Sequence, residues 1–150
     1  MQVEVSTTEF PTSSYQQLAQ FRHHVREFLH FSEQAARLHN IEPQQHQLLL
    51  AIKGLPEYTR PTVRTLSERL CLRHHSTVEL INRLVEHGAV VRRHGEQDRR
   101  EVLVELTPQG EQILEQLSIL HWQELQTTGP ALLEALGRIV KQANSNKGSA

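Results

Sequence analysis

Residues 63–88 read VRTLSERLCLRHHSTVELINRLVEHG, and residues 89–107 continue as AVVRRHGEQDRREVLVELT. In the first segment, apolar residues recur at the spacing of one helix face as far as Leu70, and they do so again from Val78 until Gly88. Glycine at that point ends a helix because it adopts the left-handed backbone conformation at little cost. Two short helices with a tight polar break between them, the second starting with a polar turn, are typical of a helix-turn-helix.

The second segment predicts a β-hairpin. Residues 89–93 and 102–106 are rich in valine, and apolar side chains alternate at Val102, Val104 and Leu106. Between the two predicted strands lies a polar loop with a single glycine and with arginines near its tip. A helix-turn-helix followed directly by such a hairpin is a winged helix-turn-helix, in which the hairpin is the wing. We therefore predict a mainly α fold with a small β-hairpin wing.

Long amphipathic helices are predicted on both sides of this segment. Residues 13–40 carry apolar side chains in alternating steps of three and four, and their apolar stripe is wider than one small domain needs, so part of it should meet another subunit. A second long helix is predicted from Pro108, with a break at the Thr-Thr-Gly-Pro sequence of residues 127–130 and a final helix beyond it. The polar residues from Asn144 onwards are expected to form a disordered tail.

Length and composition exclude several classes of protein. With 150 residues and a mass of 17.3 kDa, the chain is sufficient for one domain with its own core. The single cysteine, Cys71, excludes a disulfide framework within the chain and a cysteine zinc site, and we expect it to be buried between the two short helices. The chain has neither the apolar run of a membrane span nor the start of a secretion signal, so a cytoplasmic location is expected.

Charge is unevenly distributed along the chain, although the net charge is only -1. The segment from Arg60 to Arg100 contains nine arginines and five acidic residues, which gives it a charge of +4, so that the remainder carries -5. Arginine forms bidentate contacts with phosphate groups and guanine edges, and this segment therefore suits double-stranded DNA. The alternative is a basic face that is only solvated.

Ten histidines raise the question of a metal site. His23 and His30 lie two turns apart on one predicted helix, the neighbours His74 and His75 point in different directions, and no HExxH motif is present. We therefore expect no metal and no other cofactor. The sequence also contains no nucleophile with a base, no pair of catalytic carboxylates and no phosphate-binding loop, so we do not expect an enzyme.

Four short sequences of the central segment match those of a known family. They are Leu-Ser-Glu-Arg-Leu at residues 66–70, Ser-Thr-Val at residues 76–78, Asp-Arg-Arg at residues 98–100 and Leu-Thr-x-x-Gly at residues 106–110. They give the chain a resemblance to the MarR (multiple antibiotic resistance regulator) family of transcription regulators. It implies a homodimer that binds double-stranded DNA and responds to a small aromatic or anionic effector. It also implies one domain, residues 1–150, with a winged helix-turn-helix lobe at residues 43–107 and dimerisation helices at residues 13–40 and 108–145.

The predicted DNA-binding residues lie on the two short helices and on the wing. Exposed polar side chains on the first turns of the second helix suit the major groove, and Arg83 suits a guanine or a phosphate unless it only pairs with a neighbouring carboxylate. The resemblance assigns insertion into the minor groove to Arg100 and phosphate contact to Arg99. The full set is Arg64, Arg73, His74, His75, Ser76, Thr77, Glu79, Arg83, Asp98, Arg99 and Arg100.

Two acidic residues in this set need an explanation, because carboxylates repel phosphate. Ser76-x-x-Glu79 matches a capping box, in which Glu79 bonds back to the backbone of Ser76 and the helix starts near that serine. The alternative is that Glu79 accepts a hydrogen bond from a cytosine amino group. By the resemblance, Asp98 holds the wing through an arginine pair, with Arg92 or Arg93 as the partner.

The resemblance also implies an effector site on the helices that lie next to the DNA-binding lobe. Aromatic side chains at helical spacing suit a core or an interface as well as a ligand site. The candidate effector-binding residues are Tyr15, Arg22, His23, Arg26, His30 and Trp122.

The sequence thus predicts a homodimeric, sequence-specific DNA-binding regulator. In particular, it predicts a repressor that binds a pseudo-palindromic operator and is released by a small-molecule effector. Two alternatives remain at this point. One is a sensor whose DNA binding responds to a metal or to the thiol of Cys71, and the other is a winged-helix module that binds other proteins.

Overall fold

The computed structural model describes residues 9–147, and it describes side chains for residues 9–142. Within that range, seven elements follow one another: α1 (Thr12–Leu38), α2 (Pro43–Lys53), α3 (Val63–Leu70), α4 (His74–Glu86), β1 (Val90–His94), β2 (Val102–Leu106) and α5 (Pro108–Lys147). The predicted fold class, mainly α with one small hairpin, is confirmed. The polar residues from Asn144, expected to be disordered, continue α5 as far as Lys147, and residues 148–150 lie outside the described part.

The described chain divides into two compact units. The flanking unit comprises the described residues up to Phe31 and from Gln123 onwards, and thus the first part of α1 and the last part of α5. The central unit, Ser32–Trp122, contains the rest of these helices together with α2, α3, α4 and the hairpin. No helix within the described residues is apolar over a sufficient length to span a membrane.

In the flanking unit, small side chains are buried and large apolar ones are exposed. Ser14 of α1 and Ala135 of α5 are buried, and Nε2 of Gln142 donates to the Ser14 hydroxyl at 3.2 Å. The exposed apolar side chains of this unit lie on both helices and include Tyr15, Leu18, Leu29, Leu125, Leu133, Leu136 and Val140. The two helices therefore leave much of their apolar surface uncovered within one chain.

α5 is one continuous helix, so the break expected at residues 127–130 is wrong. The hydroxyls of Thr127 and Thr128 donate to backbone carbonyls one turn earlier, so both threonines fit the helix. Pro130 removes one helical hydrogen bond and its ring crowds the carbonyl of Gln126, but α5 continues on both sides of it. Local sequence signals for a turn are thus outweighed by the length of the helix that surrounds them.

The core of the central unit lies between α2, α3, α4 and the hairpin. Burying one large apolar side chain stabilises a fold by roughly 2 kcal/mol, so this cluster determines how α4 packs against α3 and β1. Its large, fully buried apolar members are Leu48, Leu49, Leu66, Ile81, Leu84, Val90 and Val104, and Leu117 of α5 is also fully buried in this unit.

α3 and α4 form the predicted helix-turn-helix, with only residues 71–73 between them. Thr62 caps α3 by accepting a hydrogen bond from the backbone N–H of Thr65 at 3.2 Å. Cys71 ends α3 in the left-handed conformation, with φ of 54°, and it is exposed rather than buried as expected. A left-handed residue at a helix end redirects the chain within one residue, which makes the short turn possible.

α4 begins at His74, so the capping box predicted at Ser76 is wrong. Arg73 takes the capping position with an extended backbone. The physical reason is the buried hydroxyl of Thr77, which donates to the carbonyl of Arg73 at 3.1 Å and accepts from the hydroxyl of Ser67 at 2.9 Å. These two bonds require Thr77 to lie one helical turn after Arg73, and they join the first turn of α4 to α3.

β1 and β2 pair antiparallel, with His94 opposite Val102 at the open end of the wing loop. The hairpin is also joined to the chain before α3, because the backbone N–H of Val104 donates to the carbonyl of Pro61 at 3.0 Å. The wing predicted from the valine-rich sequence is therefore present, and it is anchored to the helix-turn-helix at its β2 strand.

The Leu-Thr-x-x-Gly sequence joins the wing to α5. The hydroxyl of Thr107 donates to the carbonyl of Gly88 at 2.6 Å and accepts from the backbone N–H of Gly110 at 3.1 Å. A Cβ on Gly110 would lie 2.0 Å from the carbonyl oxygen of Ala89. Because no side chain fits into that space, glycine is required where α5 passes the first strand of the wing.

Candidate nucleic-acid interface

One face of α4 is exposed along the length of the helix. Its side chains occur at the spacing of a single helix face and are polar or charged. They form the α4 stripe, which consists of His75, Glu79, Asn82, Arg83 and Glu86. The opposite face is buried in the core. A helix that is fixed by one face and presents polar groups on the other can enter the major groove of DNA.

The predicted residues at the start of α4 differ in exposure. Arg73, His74 and His75 are exposed, whereas Ser76 is half-buried. Thr77 has no exposed surface, so its expected place on the exposed face is wrong, and its hydroxyl is occupied by bonds within the fold. The exposed residues lie beside the N-terminal N–H groups of α4, where the positive end of the helix dipole favours phosphate.

Arg64 and Arg83 lie on different helices and differ in their partners. Arg64 on α3 donates to Glu68, one turn later, at 3.3 Å, and the two side chains are 88% and 69% exposed. Such an exposed pair is weak, so Arg64 remains available to a phosphate. Arg83 on the α4 stripe has no carboxylate within ion-pair distance among the described residues, which removes the alternative of a local pair.

The wing loop is held by hydrogen bonds to its backbone. Oδ1 of Asp98 accepts from the backbone N–H of Arg100 at 3.0 Å. The Nδ1 of His94 donates to the carbonyl of Arg99 at 2.9 Å. These bonds fix the loop and leave the side chains of both arginines exposed.

The prediction that Asp98 pairs with Arg92 or Arg93 is wrong, because both arginines have other partners. Arg92 donates to Oδ1 of Asn82 on the α4 stripe, and Arg93 pairs with Glu105 of β2. Arg92 and Arg93 are neighbours on one strand, so their side chains point to opposite faces of the hairpin. Each arginine therefore meets a different partner.

Positive charge without an acidic partner is concentrated in the central unit. Among the described residues, five arginines of α3, α4, the turn between them and the wing loop have no carboxylate oxygen within 4.0 Å. Uncompensated charge of one sign raises the local potential and attracts a polyanion. These arginines are exposed on α3, on the turn before α4, on α4 and on the wing loop, at Arg69, Arg73, Arg83, Arg99 and Arg100.

Asn82 and Arg92 were not among the binding residues predicted from the sequence. Their contact joins α4 to β1 across ten positions of the chain. The sequence does place Asn82 on the exposed face of α4, by its helical spacing from His75 and Arg83. No local pattern indicates Arg92 as its partner, because that contact depends on how the hairpin packs beside the helix.

The structure does not gather the predicted effector residues around one cavity. Tyr15 and His30 are fifteen residues apart on α1, a distance of about 22 Å along the helix axis, which is too far for one small ligand to contact both. A cavity of about 500 Å³ in the flanking unit is lined instead by glutamines of α1, by His24 and by Glu134 and Arg138 of α5. On α1 the predicted residues Tyr15, Arg22, His23, Arg26 and His30 are all exposed, and in the central unit Trp122 is 70% exposed.

His46 is a core residue of the central unit. It is 2% exposed, and its ring lies 4.8 Å from the ring of His121. Burial, and secondly the neighbouring His121 and His39, lower the pKa of His46 from 6.5 to about 4. His46 is therefore neutral at neutral pH. Among the side chains that the structure describes, no group of three histidine, cysteine or acidic residues is arranged to hold a metal ion.

The sequence of this region matches a known family. The MarR family sequence model matches residues 39–101, which include α2, α3, α4, β1 and the wing loop. No curated protein matches the chain in sequence.

Solved structures of the same fold cover most of the chain. AbsC, a MarR family transcriptional regulator from Streptomyces coelicolor, is similar with a TM-score of 0.69 and 16% identity over 91% of this chain and 97% of its own. MepR, a transcription regulator of the Staphylococcus aureus multidrug efflux pump MepA, is similar with a TM-score of 0.66 and 18% identity over 93% of this chain and 98% of its own. BpsR from Bordetella bronchiseptica, whose DNA binding is regulated by 6-hydroxynicotinic acid, is similar with a TM-score of 0.62 and 20% identity over 86% of this chain and 98% of its own.

Proposed function

We propose that this chain is a DNA-binding transcriptional regulator of the MarR family, and in particular a homodimeric repressor that binds a pseudo-palindromic operator. The match of the MarR family model to residues 39–101 and the similar fold of MarR family regulators support this proposal. A transcriptional regulator of this kind is not an enzyme. In the proposed complex, each protomer inserts α4 into the major groove and places the wing along the adjacent minor groove.

The observation that carries this proposal is the combination, within the central unit, of the exposed α4 stripe and arginines without acidic partners. Arg73 and Arg83 belong to α4 and the turn before it, while Arg99 and Arg100 belong to the wing loop. A duplex offers a wide groove to a helix and a narrow, strongly negative groove to arginine. The two sets of arginines suit these two targets on one DNA molecule.

A second copy of the chain is the partner that best suits the exposed apolar surface of the flanking unit. On α5, Leu133, Leu136 and Val140 recur in steps of three and four and are 72%, 42% and 51% exposed. Apolar stripes of this kind mark helix pairing between subunits. A two-fold pairing presents two copies of α4 to DNA, which supports a pseudo-palindromic site with half-sites about one helical turn apart.

We also propose that a small effector releases the protein from DNA. Arg22 and Arg26 lie one turn apart on the exposed surface of α1 and suit an anion, and the regulation of BpsR by an aromatic acid supports this class of ligand. The proposed site is therefore the surface of α1 around these two arginines. A screen of aromatic carboxylates for release of DNA tests it, with Arg22→Ala and Arg26→Ala as the variants. Compounds that release DNA from these variants as readily as from the wild type would place the effector elsewhere.

Selection and titration of DNA test the main proposal. The wild-type protein is used to enrich duplexes from a random-sequence pool, and its affinity for the enriched duplex is measured at several salt concentrations. We expect a pseudo-palindromic sequence and a log-log slope of about -0.9 for each phosphate that the protein neutralises. A protein that is monomeric, or that ignores DNA in dilute buffer, contradicts the proposal and favours a protein-binding module.

A further inference from the structure

One contact joins the α4 stripe directly to the wing. The guanidinium of Arg92, on β1, donates through Nη2 to Oδ1 of Asn82, on α4. Both side chains are exposed, and Asn82 lies between Glu79 and Arg83 on the face of α4 that the proposed function turns towards DNA. The contact is therefore on the surface of the central unit, where its members can also reach a bound duplex.

The chemistry of this contact fixes the orientation of the asparagine amide. A guanidinium only donates hydrogen bonds, so the atom of Asn82 that faces Arg92 must be the oxygen. The amide nitrogen then points away from Arg92, and neither of its two donors has a partner among the described residues. Asn82 thus presents donors, and the acceptors that the DNA backbone and major groove offer are phosphate oxygens, the N7 atoms of guanine and adenine, guanine O6 and thymine O4.

The neighbouring arginine shows why Arg92 is different. The charge of Arg93 is compensated by Glu105, whereas Arg92 has the neutral amide of Asn82 as its partner and keeps its full charge. Arg92 therefore combines two properties on the DNA side of the lobe, an uncompensated positive charge and a hydrogen bond that connects the wing to α4.

We propose that Asn82 contacts DNA through its amide N–H groups and that Arg92 is a positioning residue, which orients this amide and holds the wing in register with α4. The inference rests on the proposed function, since it requires that the α4 stripe meets DNA. It assigns to Asn82 a preference for acceptor groups, and it disfavours the bidentate contact with adenine, which needs the amide oxygen as well as the nitrogen.

A double-mutant cycle measured by DNA affinity tests the proposal. Asn82→Ala, Arg92→Ala and the double variant are titrated with the duplex that the wild-type protein enriches. We expect Asn82→Ala to weaken binding about tenfold. We expect Arg92→Ala to weaken it at least as much, and the double variant to lose about fivefold less than the product of the two single effects.

Arg93→Ala is the matched control, because it removes the same charge from the adjacent position of β1. It should weaken binding less than Arg92→Ala, and its effect should multiply with that of Asn82→Ala without coupling. Asn82→Asp keeps an acceptor for Arg92 and removes the donors. We therefore expect it to unfold at the same temperature as the wild type but to bind DNA more weakly than Asn82→Ala. If Asn82 only held the structure together, a variant that unfolds like the wild type would also bind DNA like the wild type.

The possible failures are distinguishable. If the wild-type protein binds no DNA in dilute buffer, the proposed function fails and this inference fails with it. If the wild-type protein binds, but Asn82→Ala binds equally well or the Asn82 and Arg92 effects multiply without coupling, only the present inference is overturned.

Discussion

Arg100 has a hydrogen-bonded backbone and an exposed side chain. Its N–H donates to Asp98, and its guanidinium has no carboxylate within ion-pair distance among the described residues. We expect Arg100→Ala to weaken DNA binding about tenfold, chiefly at sites with A·T-rich flanks, because narrow minor grooves attract arginine. Fluorescence anisotropy on duplexes that differ only in their flanks measures this.

The matched control for Arg100 is Arg138→Ala, which removes the same charge from the flanking unit, where Arg138 pairs with Glu134 at 2.7 Å. This variant should keep the affinity of the wild type. Equal losses in the two variants would show that the wing arginine acts only through the total charge of the protein.

His46 makes the stability of the fold depend on pH. Its pKa is lowered to about 4 in the folded chain, mainly by burial and secondly by His121 and His39, so between about pH 4 and 6.5 the unfolded chain binds more protons. The stability from the neutral ring is therefore complete above about pH 6.5 and is lost as the pH falls. At pH 5 we expect a loss of about 2 kcal/mol, measured by urea unfolding.

We assign this loss to the ring of His46, because it is the buried histidine of the three. His121 is held by the Ser32 hydroxyl at 2.7 Å and by the Leu117 carbonyl at 2.6 Å, and Nδ1 of His39 donates to a carbonyl of α1. We therefore expect His46→Gln to be less stable at pH 7 and to show a clearly flatter pH dependence. An unchanged pH dependence in this variant would assign the effect to other groups.

At the scale of elements, the join between the wing and α5 tolerates no added atom. Gly110→Ala would place a Cβ 2.0 Å from a backbone oxygen, so we expect a destabilisation of about 3 kcal/mol. Gly137→Ala, in the interior of α5, meets nothing within 4 Å and should stabilise the fold by about 0.5 kcal/mol, because alanine favours the helix. Urea unfolding compares the two, and equal stabilities would contradict the tight fit at Gly110.

The elements that the sequence predicts well are those whose signals are local. Helical spacing in α3 and α4 and valine-rich strands in the wing each depend on residues within a few positions of one another. The arginines of the wing loop were identified in the same way, by their place between two predicted strands. For such features the periodicity of the side chains determines the structure directly.

The features that the sequence did not predict depend on contacts between elements. The start of α4 is set by the bond from Ser67 on α3 to Thr77, and a capping motif at Ser76 cannot compete with it. Residues 127–130 resemble a turn but lie within a long helix that continues through them. The partner of Arg92 is likewise on another element, whereas the family resemblance offered Arg92 or Arg93 as the partner of Asp98.

At the scale of the whole molecule, the exposed apolar surface of the flanking unit is the interface that we propose for the dimer. Leu133→Glu places a charge where Leu133 is 72% exposed, and we expect this variant to be largely monomeric and to lose operator binding, because the proposed interface cannot bury an unpaired carboxylate. Gln123→Glu adds the same charge at another exposed position of α5 and should stay dimeric. Analytical ultracentrifugation distinguishes these species, and a dimeric Leu133→Glu variant would place the interface elsewhere.

In the complex that we propose, the two carboxylates of the α4 stripe influence how the protein searches a chromosome. Glu79 and Glu86 are exposed beside Asn82 and Arg83, so on a random sequence no base is placed to compensate their repulsion by phosphates. This repulsion lowers the affinity for the very large number of competing sites more than for an operator that offers an amino group to Glu79. Fewer molecules are then sequestered on the wrong DNA, and a smaller number of copies per cell suffices to keep the operator occupied.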